Sequence, residues 1–152
     1  MPTQPFRELI IQLWYPAAAV DGYPRVPWMT PVTARAYEQF YGYPVLPLPI
    51  TSAYLGAPAR QRRGGWPVVL YSHSLQGDRE EATALVEDLA SHGYVVVTID
   101  HIHDADVVEL PDGHVETSAL PGDDIQQSPA HRTITALPRG RVRVPLAGHD
   151  RC

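Results

Sequence analysis

The stretch from Trp66 to His101 limits what this chain can fold into more than any other. Pro67 to Ser72 is a short apolar run without alternation, the pattern of a strand buried on both faces. Asp78 is placed to cap a helix, and Glu81, three residues on, completes a capping box. Ala82, Leu85, Val86 and Leu89 then form one apolar stripe at helical spacing. Gly93 stands where a left-handed residue closes a helix. Tyr94 to Ile99, rich in valine, reads as a second buried strand. Two such strands joined through a helix are expected to be parallel, with a right-handed crossover. The fold class is therefore α/β.

Chemistry follows from that geometry. Both strands end at the same edge of the sheet, and open parallel sheets bind ligands in the crevice at that edge. Ser72-His73-Ser74-Leu75-Gln76-Gly77 and Asp100-His101 are thus expected to line a common cleft. The first of these turns is expected to run directly into a helix N-terminus, whose free N–H groups and dipole favour anions.

A chain of 152 residues suffices for one domain with a real core. Its net charge of −5 argues against nucleic acid as a partner. The single cysteine, Cys152, rules out an internal disulfide and a cysteine-based metal site. Met1 to Pro5 has no basic region, and the apolar run from Leu9 is broken by Gln12 and Pro16. This argues against a signal peptide or a transmembrane span and leaves the cytoplasm as the default location. Charge is unevenly placed. Residues 1–124 hold 7 arginines against 16 acids, whereas residues 125–152 hold 5 arginines and 1 acid. A basic tail that binds something and a foreign or frame-shifted terminus both account for this.

Earlier in the chain, Arg7 to Tyr15 reads as a strand, antiparallel and near an edge. Val20 to Trp28 reads as loop. Pro31 to Phe40 suits a short helix capped by Thr30 and ended by Gly42. The prolines of Tyr43 to Pro49 favour an extended surface path, and Thr51 to Leu55 reads as a brief turn. Arg60 to Gly65 is a solvated loop. Val107 to Leu110, Pro111-Asp112-Gly113 and Val115 suggest a hairpin. From Ser118 to Pro138 there is no sustained period, which divides the chain into residues 1–117 and an irregular tail, 118–152.

Taken in order, R-E-L-I-I-Q-L-W-Y-P-A at 7–17, W-P-V-V-L-Y-S-H at 66–73, A-L-V-E-D-L-A-S-H-G-Y-V-V-V at 84–97, I-D-H at 99–101 and D-A-D-V-V-E-L-P-D-G at 104–113 resemble the platelet-activating-factor acetylhydrolase family, isoform II or plasma type. The resemblance covers roughly Arg7 to Glu116. It implies the amino-terminal strands and first crossover helix of an α/β-hydrolase, with the carboxyl half missing. It also implies a calcium-independent serine esterase that needs no cofactor and acts on small esters or short-chain phospholipids. The family carries H-G-x-G-G after this strand, which assigns the oxyanion-binding N–H to Leu75, with His73, Ser74 and Gly77 as the supporting turn. Ser74 and Gln76 here replace two glycines of that pattern, so the backbone angles of the turn are at issue. The family's nucleophile lies in a G-x-S-x-G elbow, and the 152 residues contain no such motif. The resemblance therefore implies an inactive fragment lacking its nucleophile.

Other groups compete for a role. Ser74 is itself a candidate nucleophile, with Asp100, Asp104 or Asp106 and a later histidine completing a triad; its plainer reading is a turn serine bonded to a helix N-terminus. His101 and His103, spaced i, i+2, could bind zinc in a metal-dependent hydrolase; their plainer reading is a polar loop at the cleft rim, with no metal. His73 is read as orienting the oxyanion turn, and His92 as complementing a helix C-terminus. Gly148 to Cys152 is similar to the G-H-D-R-G elbow of dehalogenases but ends at Cys152, and its plainer reading is chance. A non-catalytic remnant or partner-binding fragment is the alternative from outside the enzymes, since half a sheet leaves an open edge and an uncovered face.

Overall fold

The computed structural model describes residues 8–42, 44 and 47–119. The elements run β1 (Leu9–Trp14), β2 (Arg25–Pro27), α1 (Pro31–Tyr41), β3 (Ile50–Tyr54), β4 (Val68–Ser72), α2 (Thr83–Ser91), β5 (Val95–His101), β6 (Val107–Glu109) and β7 (Val115–Thr117). The expectations for residues 43, 45, 46 and 120–152, including Gly148 to Cys152, lie outside the described residues.

The principal sheet has the order β1-β5-β4. β4 and β5 are parallel, with Ser72 opposite Ile99, and β1 is antiparallel to β5, with Ile11 opposite Ile99. This is the strand–helix–strand unit expected from Trp66 to His101, flanked by the expected antiparallel strand. One sheet face packs under α2 through Trp14, Val86, Ala90 and Val96. Gly93 ends α2 at φ +92°, with its N–H donating to Ala90 O and the Tyr94 N–H to Leu89 O. That pair of bonds is a Schellman closure. A Cβ at Gly93 would lie 2.9 Å from the Trp66 ring, so space as well as backbone demands glycine there.

Four expectations are corrected. β4 is not buried on both faces: Val68 is 61 % exposed and Leu70 66 %, because α2 covers only the other face. On that uncovered face Leu9, Ile11 and Leu13 of β1 are exposed too. The stripe on α2 holds at Ala82, Val86 and Leu89, which pack on the core cluster, but fails at Leu85, which is exposed while Thr83 and Ala90 are buried. Asp78 does not cap α2, which begins only at Thr83 with Ala82 at its N-cap and no side-chain cap bond. The Asp78 carboxylate instead accepts from Glu80 N–H at 2.8 Å and from the Tyr37 hydroxyl. Local side-chain acceptors have displaced the helical start. Finally, the stretches read as loop and turn contain β2 and β3, which pair with each other.

α1 matches its reading. The Thr30 hydroxyl accepts from Thr33 N–H at 3.0 Å, Pro31 opens the first turn, and Gly42 closes it at φ +75°. Its buried face, Ala34 and Tyr37, packs with Met29 and Val107. β6 and β7 form the expected hairpin.

Candidate functional site

β4 ends at Ser72, and the chain then doubles through Ser74–Gly77. The Gly77 N–H donates to Ser74 O at 2.9 Å, closing a β-turn. Its third residue, Gln76, takes φ +64°, the angle a type II turn requires and that glycine or asparagine ordinarily supplies. Gln76 has therefore adopted a backbone conformation that glycine ordinarily supplies. Gly77 cannot be enlarged freely, because a Cβ there would lie 3.2 Å from both His73 Cβ and Ser74 O.

The turn is tied down from two sides. The Gln76 N–H donates to Asp104 O at 3.2 Å, linking it to the loop after β5. His73 Nδ1 lies 2.6 Å from Ser74 O, and His73 Nε2 accepts from His101 N–H at 3.1 Å. A backbone donor at Nε2 places the ring proton on Nδ1, where Ser74 O can accept it. The His73 and His101 rings meet edge to face at 5.2 Å. With the Gln76 and Gly77 amides engaged, the Leu75 N–H at the apex has no acceptor among the described residues, and the Leu75 side chain is 46 % exposed. The turn does not run into a helix N-terminus, since α2 begins eight residues beyond Leu75. The donor without an acceptor among the described residues is the turn's own Leu75 amide.

Beneath the turn lies a buried ionic cluster that the sequence reading did not single out. Asp78, Glu80 and Asp100 are all buried, and one guanidinium, that of Arg79, serves Glu80 and Asp100. Arg79 Nε is 2.9 Å from Glu80 Oε1, and Arg79 N–H donates to Asp100 Oδ1 at 2.7 Å. Burial raises Asp78 to about 6 and Glu80 to about 8, in the latter case against the pull of Arg79. Burial also raises Asp100, with Arg79 opposing it most strongly. One cation cannot compensate three desolvated carboxylates, so the cluster holds protons more tightly than free acids do.

The other candidates separate. No histidine or carboxylate side chain is hydrogen-bonded to the Ser74 hydroxyl among the described residues. Asp100 is taken by Arg79, and Asp106 accepts from the Tyr41 hydroxyl. His103, at φ +73°, lies 3.9 Å from Glu116, to which His114 also reaches at 3.2 Å. Among the described residues no group of three or more His, Cys, Asp or Glu side chains forms a metal site. His92 caps α2, its Nδ1 2.8 Å from Asp88 O.

Ser72 was expected in the cleft, but the sequence reading gave it no role. Its Oγ lies 2.7 Å from His101 Nε2. The strand register carried the signal: Ser72 faces Ile99 across a parallel pair, and His101 follows Ile99 by two on the same face.

None of the helices among the described residues is long and apolar enough to cross a membrane. Comparison with known proteins agrees with the geometry. The chain is 34% identical to a ferulic acid esterase from Streptomyces cinnamoneus of known structure, with a TM-score of 0.64 over 74% of this chain and 31% of that one. It is 36% identical over 53 residues to a probable 1-alkyl-2-acetylglycerophosphocholine esterase from Arthroderma benhamiae, covering 35% of this chain and 14% of that protein. The chain thus spans less than a third of the length of either relative, and the solved likeness is consistent with a partial α/β-hydrolase. Residues 50–109, which contain the turn, the cluster and the Ser72–His101 pair, match the family of platelet-activating factor acetylhydrolase, isoform II.

Proposed function

We propose that this chain carries the oxyanion-binding part of a carboxylic-ester hydrolase of the acetylhydrolase type, acting on small esters or short-chain phospholipids. The observation that supports it is the Leu75 N–H, which has no acceptor among the described residues, at the apex of a turn fixed by His73, Gln76 and Asp104. In the intact reaction a serine attacks the acyl carbonyl, the Leu75 N–H donates to the oxygen as it becomes negative, the ester C–O bond breaks and the alcohol leaves, and water then releases the acyl group from the serine. Such a donor contributes about 10²–10³ in turnover. The attacking serine of a G-x-S-x-G elbow is not encoded in the 152 residues, so the chain alone is expected to hydrolyse p-nitrophenyl butyrate no faster than buffer. Turnover abolished by Ser74→Ala would overturn this reading and make Ser74 the nucleophile.

The Ser72–His101 contact favours a second reading, in which Ser72 attacks with His101 as its base. Hydrogen-bonded nucleophile and base are the arrangement such chemistry needs. Labelling with a fluorophosphonate, followed by peptide mapping, distinguishes the two. Modification at Ser72 that Ser72→Ala and His101→Gln both remove establishes the second reading, whereas an unmodified chain leaves the first.

A further inference from the structure

The cavity of about 630 Å³ beside β1 lies away from the oxyanion turn and does not depend on the ester reading. Ile11, Leu13 and Trp14 line one side of it, Ala53 and Leu55 the other, and Ala90 of α2 contributes to its wall. Ile11 and Leu13 belong to one face of β1 and Trp14 to the other, so the cavity wraps the strand's edge rather than lying over a face. Among the described residues β1 has a hydrogen-bonded strand on one side only, β5. Its outer edge therefore presents unpaired backbone donors and acceptors.

That edge position is already taken just past the end of β1. Ala17 bridges Ala59 in antiparallel fashion, the Ala18 N–H donates to Pro58 O at 2.8 Å, and the Arg60 N–H donates to Pro16 O at 2.8 Å. The cavity lies beside this segment, with Pro16, Ala17 and Ala57 in its lining. Its size fits the same occupant: with strands about 4.8 Å apart, sheets about 10 Å apart and a rise of about 3.3 Å, a strand residue fills roughly 160 Å³. The cavity thus holds about four residues of extended chain. On the far wall the Ser52 N–H is engaged by the Glu87 carboxylate, so the hydrogen-bonding partner is β1 and not β3. Glu87 also sets the charge of the site, which disfavours an acidic occupant.

We infer that the outer edge of β1 binds an extended peptide segment in trans, with alternating apolar residues and no acidic side chain, by adding a strand beside Ile11 to Trp14. Backbone pairing supplies affinity in this mode, and the apolar walls select alternate side chains. The test uses the full chain and a blocked hexapeptide of alternating valine and threonine ending in lysine. Binding by calorimetry, with slowed amide exchange confined to residues 11–14, is expected. The same peptide N-methylated at alternate residues is expected to bind roughly tenfold more weakly or worse, having lost its backbone donors. Equal binding of the two peptides, or binding of 1-octanol without binding of the peptide, would overturn the inference in favour of a small-molecule cavity. Protection at 11–14 that rises with protein concentration in the absence of peptide would assign the edge to a second copy and overturn it likewise.

Discussion

Arg79 holds Asp100 at two points: its backbone N–H donates to Oδ1 at 2.7 Å, and its guanidinium reaches Oδ2. The same guanidinium serves Glu80 through Nε at 2.9 Å. Both acids are almost fully buried, so this one side chain compensates the Asp100 carboxylate and holds the carboxyl of Glu80 beside the Ser74–Gly77 turn. Arg79→Met is therefore expected to destabilise the fold by about 3–5 kcal/mol at neutral pH, the usual cost of leaving a buried ion without its partner. Arg79→Lys should recover only part, since an ammonium cannot fork between two carboxylates. Urea unfolding of the three proteins at pH 7 measures this. A methionine variant as stable as the parent would show that the cluster is not ionised as described.

The pH dependence has a definite sign. Asp78 rises from 3.8 to about 6 and Glu80 from 4.5 to about 8, both chiefly through burial. Asp100 moves the same way. With raised values the folded state binds more protons than the unfolded one throughout this window. The stabilisation is complete below about pH 4 and is lost as pH rises through 6 and then 8. The urea midpoint should accordingly fall between pH 5 and pH 9, and Glu80→Gln should flatten the upper part of that decline. A midpoint that climbs over the same interval would contradict the burial of these acids.

Gln76 is held at φ +64° where the acetylhydrolase pattern has glycine. A side chain in that region costs on the order of 1–2 kcal/mol, and glycine gives back roughly 0.5–1 kcal/mol through its freer unfolded chain. Gln76→Gly is expected to stabilise by up to about 1 kcal/mol, whereas Gln76→Val, branched at Cβ, should destabilise by more than 1 kcal/mol. Thermal unfolding of both variants gives the comparison. Stabilisation by valine would mean the turn does not have this shape.

Much of this was legible before any coordinates. Trp66 to His101 announced two strands and a helix because apolar runs, a helical stripe and Gly93 are local signals. Thr30, Pro31 and Gly42 bracketed α1 for the same reason. β2 and β3 were not legible, since Arg25 pairs with Tyr54 across a long separation and both strands are short and flanked by prolines. The start of α2 was misplaced because Asp78 is a good cap in isolation, and only the fold brings Tyr37 to its carboxylate. Of the site, the turn around Leu75 was readable from its resemblance. The Arg79 cluster and the Ser72–His101 contact were not, as each depends on which residues of β5 stand beside which residues of the turn.

The uncovered face of the principal sheet makes the last prediction. Leu9, Ile11 and Leu13 on β1 and Val68 and Leu70 on β4 are between 42 % and 66 % exposed, and strand pairing places all five on one face. Among the described residues β4 is also an edge strand. An apolar face ending in an unpaired edge is a template for self-association. Leu70→Lys places a charge on that face without touching the buried cluster of Trp14, Val86, Ala90 and Val96. It should leave the stability within about 0.5 kcal/mol of the parent, as surface changes usually do, while reducing dye binding and concentration-dependent light scattering. A lysine variant that scatters as strongly as the parent would show that association proceeds through some other surface.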